Sequence, residues 1–202
     1  MRNQKLDLKA LVLFAVCTAI PCVLRTLTLT VPIQPVPRTM ASVGACLAGG
    51  TLGPKKGGLT QLLYLLLVLV GFPFTPNFKS GVAAFLSPHG GYLFGYVLMA
   101  VVTGYCYRLF NSYFDWLFIT EKRLLILFTK WLNIVVAGVI GTIALHIVGL
   151  SYFMMVTGYS LHQTIECGYG PFIAVNFLTI LISAKFVLMA DKQVYDNWWW
   201  VL

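Results

Sequence analysis

The sequence predicts an all-α integral membrane protein with six transmembrane helices and both termini cytoplasmic. Three observations carry this expectation. First, 59% of the 202 residues are hydrophobic and only 10% are charged, and mean hydropathy is +0.84. Soluble domains carry about 25% charged residues, and a soluble chain of this size has too little interior to hide so much apolar surface. A soluble enzyme, a disordered tail and a disulfide-framed secreted module are excluded. Second, the apolar runs are continuous and not alternating, so the segments that bond their own backbone in lipid are helices and not barrel strands. A span takes about 20 apolar residues, so six take roughly 120. The rest makes short loops in a single membrane-embedded domain, residues 1–202.

The third observation is the placement of charge. With the N-terminus inside and six spans, Arg2, Lys5, Lys9, Lys55, Lys56, Arg108, Lys122, Arg123, Lys130, Lys185 and Lys192 fall on the inner side. That is eleven of the 14 Lys and Arg. Arg25, Arg38 and Lys79 fall outside. Lys/Arg bias sets orientation, and an odd span count would scramble this order. The net charge of +8 is therefore a topology signal, and nucleic acid is not needed as a partner.

Helix 1 is expected over residues 8–29. Its apolar run is long for a signal peptide and no small-residue cleavage site follows, so it is read as retained. Pro21 should kink it. Pro32, Pro35 and Pro37 make the next loop stiff and extended. Helix 2, residues 39–52, is rich in Gly and Ala, and Gly53-Pro54-Lys55-Lys56-Gly57-Gly58 forms a tight basic turn into helix 3, residues 59–71. The segment from Phe72 to His89 is too apolar for a solvated loop and should re-enter or pack on the bundle. Helix 4 covers residues 90–110. The connector from Ser112 to Arg123 has aromatics suited to the bilayer interface. Helix 5 covers residues 124–150, a second substantial loop runs from Ser151 to Gly170, and helix 6 covers residues 171–190. Trp198, Trp199 and Trp200 either anchor the end at headgroup level or form a loose tail.

The chemistry-bearing residues are few. Polar groups near spans are functional candidates, and the outer half gathers Arg25, Arg38, Asn77, Lys79, His89, Glu166 and Asn176 beside Tyr64 and Tyr92. A loop-roofed pocket open to the outside fits them, and solvated loop residues or an interhelical hydrogen bond from Asn176 fit them too. The three histidines, His89, His146 and His162, lack metal-ligand spacing, and His146 reads as a hydrogen-bonded packing residue. The five cysteines include no CxxC pair. Cys17, Cys46 and Cys106 read as packing residues, and no spacing supports a Cys22–Cys167 disulfide. There is no HExxH, GxSxG or GxxxxGK[ST], and no acidic residue in the middle of helices 2 to 5. No enzyme, metal, cofactor or ion-coupled carrier is indicated. The chain reads as a binder whose work, if it transports uphill, comes from a partner. Ala15-x-x-x-Ala19 and Ala137-x-x-x-Gly141 are spaced for close helix approach, within the chain or to another subunit.

From Pro35 to Gly95 the words Pro35-Val36-Pro37-x-Thr39, Leu52-Gly53-Pro54-Lys55-x-Gly57, Gln61-Leu62-Leu63-Tyr64-Leu65-Leu66-Leu67, Gly71-Phe72-Pro73 and Ser87-Pro88-His89-Gly90-Gly91-Tyr92-Leu93-Phe94-Gly95-Tyr96 occur in order. In order and spacing they resemble the BioY family, the biotin-capturing S component of energy-coupling factor (ECF) transporters. Fainter similarity continues through Gly149, Tyr152, Gly158 and Gly168 to Pro171-Phe172.

The resemblance implies a vitamin-binding membrane subunit that takes biotin from outside, under the loops after helices 1, 3 and 5. It also implies a transmembrane coupling subunit and two ATPases as partners, with Ala15 and Ala19 on the coupling face, in a multi-pass protein of the bacterial inner membrane. After Pro-Phe the family usually reads x-Pro-Gly-Asp-x-x-Lys, whose Asp and Lys help hold the ligand. Here Asn176 stands at the Asp position and Thr179 at the Lys position, so both charges are gone together. The glycine-rich segment after helix 3 is rewritten as Thr75-Pro76-Asn77-Phe78-Lys79-Ser80-Gly81. Tyr64, Phe74, Tyr92 and Tyr96 can wall the fused rings, Asn77 and Asn176 can meet the ureido group, and Lys79 or Arg38 can meet the carboxylate. An S component for another small vitamin, or a membrane assembly protein without a ligand, are the alternatives.

Overall fold

The computed structural model describes residues 8–26, 28–29, 38–75, 78–117, 123–168 and 172–194. The elements are α1 (Leu8–Thr26), β1 (Thr28–Leu29), β2 (Arg38–Thr39), α2 (Ala41–Val70), α3 (Val82–Phe85), α4 (Gly90–Leu117), α5 (Arg123–Thr157), α6 (Leu161–Gly168) and α7 (Phe172–Val194). Among the described residues the regular structure is helical apart from one antiparallel pairing of β1 with β2, Thr28 opposite Thr39. That pairing ties off the proline-rich loop, whose residues 30–37 lie outside the described set, as do the terminal tryptophans.

α2 is two helices joined at a hairpin. Gly53 sits at φ 77°, ψ −179°, a conformation that favours a residue without Cβ, and Pro54 opens the second arm where a missing N–H is harmless. The reversal is sharp enough that a Cβ on Gly57 would lie 2.7 Å from the carbonyl oxygen of Ala48. The guanidinium of Arg108 closes the turn by donating to the carbonyl of Leu52 at 3.4 Å.

The first arm of α2 is the centre of the bundle. Every residue from Ala41 to Gly49 is buried, as expected of a helix covered on all sides. Its small residues admit the neighbours. A Cβ on Gly44 would meet Cδ of Pro21 at 2.7 Å, and one on Gly50 would meet Val187 at 2.7 Å and Ile134 at 2.9 Å. α1, α5 and α7 thus press directly on this arm, and Gly104 of α4 approaches the carbonyl of Gly49 equally closely. In lipid such packing supplies the association energy that hydrophobic burial supplies in water.

α4 over Gly90–Phe114 and α5 over Leu125–Thr157 are long and apolar enough to cross a membrane, and shorter apolar stretches occupy Leu11–Leu24 and Val175–Ala190. Outward faces remain apolar, with Leu62, Leu66 and Leu69 on the second arm of α2 and Ile143 and Ile147 on α5 all exposed. Patches this extended on a water-soluble monomer would be a liability.

α1 stops at Thr26, short of residue 29, because the chain turns into β1, whereas later helix ends run beyond their expected positions. α4 continues to Leu117 and α5 to Thr157, because nothing in Ser112–Leu117 or in Ser151–Val156 breaks a helix. Gly158, at φ 70°, ends α5. The following loop then folds into α6, started by a reciprocal cap. The Ser160 backbone N–H donates to Oε1 of Gln163 at 3.1 Å, and the Gln163 N–H donates to the Ser160 hydroxyl at 3.4 Å, the pairing expected of a capping box. Pro21 does lie within α1, where Cys22 Sγ donates to the Thr18 carbonyl at 3.2 Å. Cys22 is buried.

Candidate ligand-binding site

The first turns of α2, α4 and α7 begin at the same end of the bundle, and the side chains that meet there form one polar network. Asn176 of α7 lies 3.3 Å from His146 of α5, Nδ2 to Nε2. The other ring nitrogen, Nδ1, lies 2.8 Å from the Thr142 carbonyl. A carbonyl only accepts, so Nδ1 carries the proton. A neutral ring then presents Nε2 as an acceptor, and the Asn176 amide donates to it. Tyr92 of α4 stands edge-on to the His146 ring, with centroids 6.1 Å apart and planes at 86°.

Thr179, three residues on from Asn176, donates to the Asn176 carbonyl at 2.8 Å and accepts from Ser42 of α2 at 3.1 Å. Ser183, one turn further, donates to the Thr179 carbonyl at 2.7 Å and lies 3.3 Å from the Val43 carbonyl. α7 is therefore bonded to the start of α2 through hydroxyls, and its Asn176 amide is held toward α5. All of Ser42, His146, Asn176, Thr179 and Ser183 are buried. Tyr92, which meets the His146 ring, packs in one apolar cluster with Ala41, Ala45, Tyr96 and Met99. Gly149 of α5 makes room for Tyr92, since a Cβ there would lie 2.5 Å from the Tyr92 ring.

Tyr64 belongs to a neighbouring cluster. It packs with Cys22, Val68 and Leu93, so the consecutive residues Tyr92 and Leu93 of α4 face two different groups. The Tyr64 hydroxyl donates to the Phe74 carbonyl at 2.8 Å, and the Gly81 N–H donates to the Val68 carbonyl at 2.8 Å. These bonds fold the segment after α2 back on its second arm. Lys79 rides on that segment, exposed, and its carbonyl accepts from the Thr75 hydroxyl. Among the described residues, the Asn176 network contains no Lys or Arg.

The structure thus joins Tyr92, Asn176 and Thr179 of the sequence-derived set. Tyr64 and Lys79 stand in the adjacent loop anchor. Asn77 and the side chains of Arg25 and Arg38 lie outside the described residues. Glu166 faces water with His162, 3.6 Å apart, the two side chains 66% and 83% exposed, a solvated surface pair. Ser42, and His146 as the partner of the interhelical bond from Asn176, were not anticipated. The i, i+4 spacing of Thr142 and His146 was the available signal for a polar stripe on helix 5. On α1, Ala15 and Ala19 are exposed while Cys17 and Thr18 between them are buried.

A model of the BioY family matches residues 1–196. The chain belongs to the BioY family. It is similar to the biotin transporter BioY of Thermotoga maritima, at 29% identity over 164 residues that make up 81% of this chain and 86% of that one. It is also similar to the probable biotin transporter BioY of Lysinibacillus sphaericus, at 28% identity over 97% of this chain and 88% of that one. The solved structure of an S-component for biotin from an ECF-type ABC transporter shares the fold, with a TM-score of 0.75, 24% identity, and 96% of this chain and 95% of that chain covered. The S component of a bacterial ECF transporter follows at a TM-score of 0.54, 16% identity, and 93% and 96% coverage. BioY proteins are membrane transporter components and not enzymes.

Proposed function

We propose that the protein captures biotin from the outer side of a bacterial inner membrane and delivers it for uptake as the S component of an ATP-driven ECF transporter. The observation that carries the reading to a site is the buried network of Tyr92, His146, Asn176, Thr179 and Ser42. It offers what a fused-ring cyclic urea needs: aromatic walls, and an amide directed by fixed partners. Membership of the BioY family, and relatives named as biotin transporters, support the ligand.

The spans of this reading are α1, the two arms of α2, α4, α5 and α7, with both termini cytoplasmic. The Gly53 hairpin and its lysines then face the cytoplasm, and the Asn176 network faces outward. The chain has no nucleotide-cradling motif, so the work comes from a transmembrane coupling subunit and two ATPases. The exposed Ala15 and Ala19 are the face offered to the coupling subunit. Lys79 or Arg38 supplies the cation for the ligand carboxylate that Thr179 cannot.

One observation favours a second ligand. The two charges usual at positions 176 and 179 are both replaced, which suits a different small vitamin on the same fold. Equilibrium binding of labelled biotin to the purified protein, competed by riboflavin and thiamine, separates the two. Saturable binding displaced by biotin alone is expected. Asn176→Ala should weaken it about 5- to 150-fold, the equivalent of roughly 1–3 kcal/mol for an unmatched buried partner. Displacement by another vitamin would assign the site to that ligand.

A further inference from the structure

We infer that His146 determines which end of the Asn176 amide faces the ligand, and that it thereby makes the site demand an N–H donor at that point. The inference deepens the biotin reading and rests on it. An asparagine amide is ambiguous, since it presents a donor or an acceptor after a half turn about its last bond. Here the ambiguity is removed from behind. Nδ1 of His146 is committed to the Thr142 carbonyl at 2.8 Å, and Thr142 is itself held to the Gly138 carbonyl at 2.8 Å. The ring is buried against the edge-on Tyr92, so it does not swing. Nε2 therefore stays an acceptor, and only Nδ2 of Asn176 satisfies it. Reversing the amide would set Oδ1 against Nε2, two acceptors face to face. Oδ1 is left as the end that accepts from a ligand.

Oδ1 presents what one carboxylate oxygen would present, an acceptor, without a charge; the second Nδ2–H remains a donor beside it. This gives a physical reason for Asn176 and Thr179 to occur together. A neutral acceptor needs no neighbouring cation, and Thr179 is free to tie α7 to Ser42 instead. A ureido ring, with N–H on both sides of its carbonyl, satisfies such an acceptor. A ring with oxygen at that position does not.

The test uses the full-length protein, purified in detergent, with biotin and the two cyclic carbamate analogues in which a ring oxygen replaces one or the other ureido N–H. The unaltered protein should prefer biotin over at least one analogue by about 10- to 100-fold, the cost of facing two buried acceptors. His146→Gln reaches Asn176 but can itself turn end for end. It should keep biotin binding while the preference falls toward unity. His146→Asn keeps a donor for Thr142 but is too short to reach Asn176, and it should lose both affinity and preference. A purely structural role for His146 would weaken all ligands alike. An unchanged preference in both variants, or no preference in the unaltered protein, overturns the inference and leaves biotin binding standing. Absence of biotin binding by the unaltered protein overturns both.

Discussion

Asn133 of α5 donates its amide to Oδ1 of Asn111 of α4 at 2.8 Å, with both side chains buried. The bond lies far along both helices from the Asn176 network, near Tyr107, Ile134 and Trp131, and makes a polar tie between these two long helices. Its energetics are separable from ligand binding. Asn133→Leu strands an acceptor in an apolar setting and should cost roughly 1–3 kcal/mol, whereas removing both groups should cost much less than twice that. Unfolding of the two single variants and of Asn111→Leu/Asn133→Leu closes a double-mutant cycle. A coupling near zero would mean that the amides do not depend on one another.

Gly53 is held to glycine by two independent constraints. Its φ of 77° is unfavourable for an L side chain, and a Cβ there would displace the guanidinium of Arg108, the far end of an exposed side chain. Gly53→Ala should lower stability by about 1–3 kcal/mol from the backbone alone. Arg108→Ala, which clears the space but leaves φ unchanged, should rescue only part of the loss. Thermal unfolding in detergent of the two single variants and the pair measures the split. Full rescue would assign the cost to the clash and none to the backbone.

How much of this was legible beforehand depends on the kind of signal. The Gly53-Pro54 turn could be read because the backbone conformation demands particular residues. The closeness of the first arm of α2 to its neighbours could be read from Gly44, Gly49 and Gly50. The helix ends at Leu117 and Thr157 could not, because the mixed polar and aromatic residues beyond Phe110 and Leu150 suit a connector as well as a helix, and Asn111 and Asn133 show that a polar side chain can stay in a long apolar helix when another helix supplies its partner. The site was half legible. Tyr92, Asn176 and Thr179 carry motif positions, but Ser42 and the direction of the His146 ring depend on how four helices meet, and no local pattern encodes that. Tyr64 also stands in a motif word, but the bond from its hydroxyl to the Phe74 carbonyl depends on how the loop folds back, which no local pattern encodes.

That fastening makes the loop after α2 testable. Tyr64→Phe keeps the ring among Cys22, Val68 and Leu93 and deletes only the bond to the Phe74 carbonyl. It should cost about 1 kcal/mol and increase proteolytic cutting in the segment from Phe72 to Gly81. If Lys79 or Arg38 meets the ligand carboxylate, Arg38→Ala with Lys79→Ala should weaken biotin by more than tenfold, a charge-assisted bond being worth roughly 1.5–3 kcal/mol. Tyr64→Phe should then weaken biotin by a smaller factor, through a less ordered loop. Unchanged biotin affinity in the double variant would rule out both cations.

If the face of α1 that carries Ala15 and Ala19 docks the coupling subunit, substitutions there separate capture from delivery. Both residues are exposed, and Val12, Val16 and Val23 continue the same apolar surface along the helix. Close approach of another helix needs small side chains at that spacing. The ligand network is built from α2, α4, α5 and α7, and among the described residues α1 adds no side chain to it. Ala15→Leu with Ala19→Leu should therefore leave biotin binding by the isolated protein unchanged, since added methyl groups on a lipid-facing surface meet no neighbour within the chain. Uptake of labelled biotin by cells that supply the coupling subunit and ATPases should fall sharply, because the leucines hold the partner helix away. Paired measurement of binding and uptake decides the matter. Loss of both would place α1 in the capture site, and loss of neither would move the docking surface to another face of the bundle.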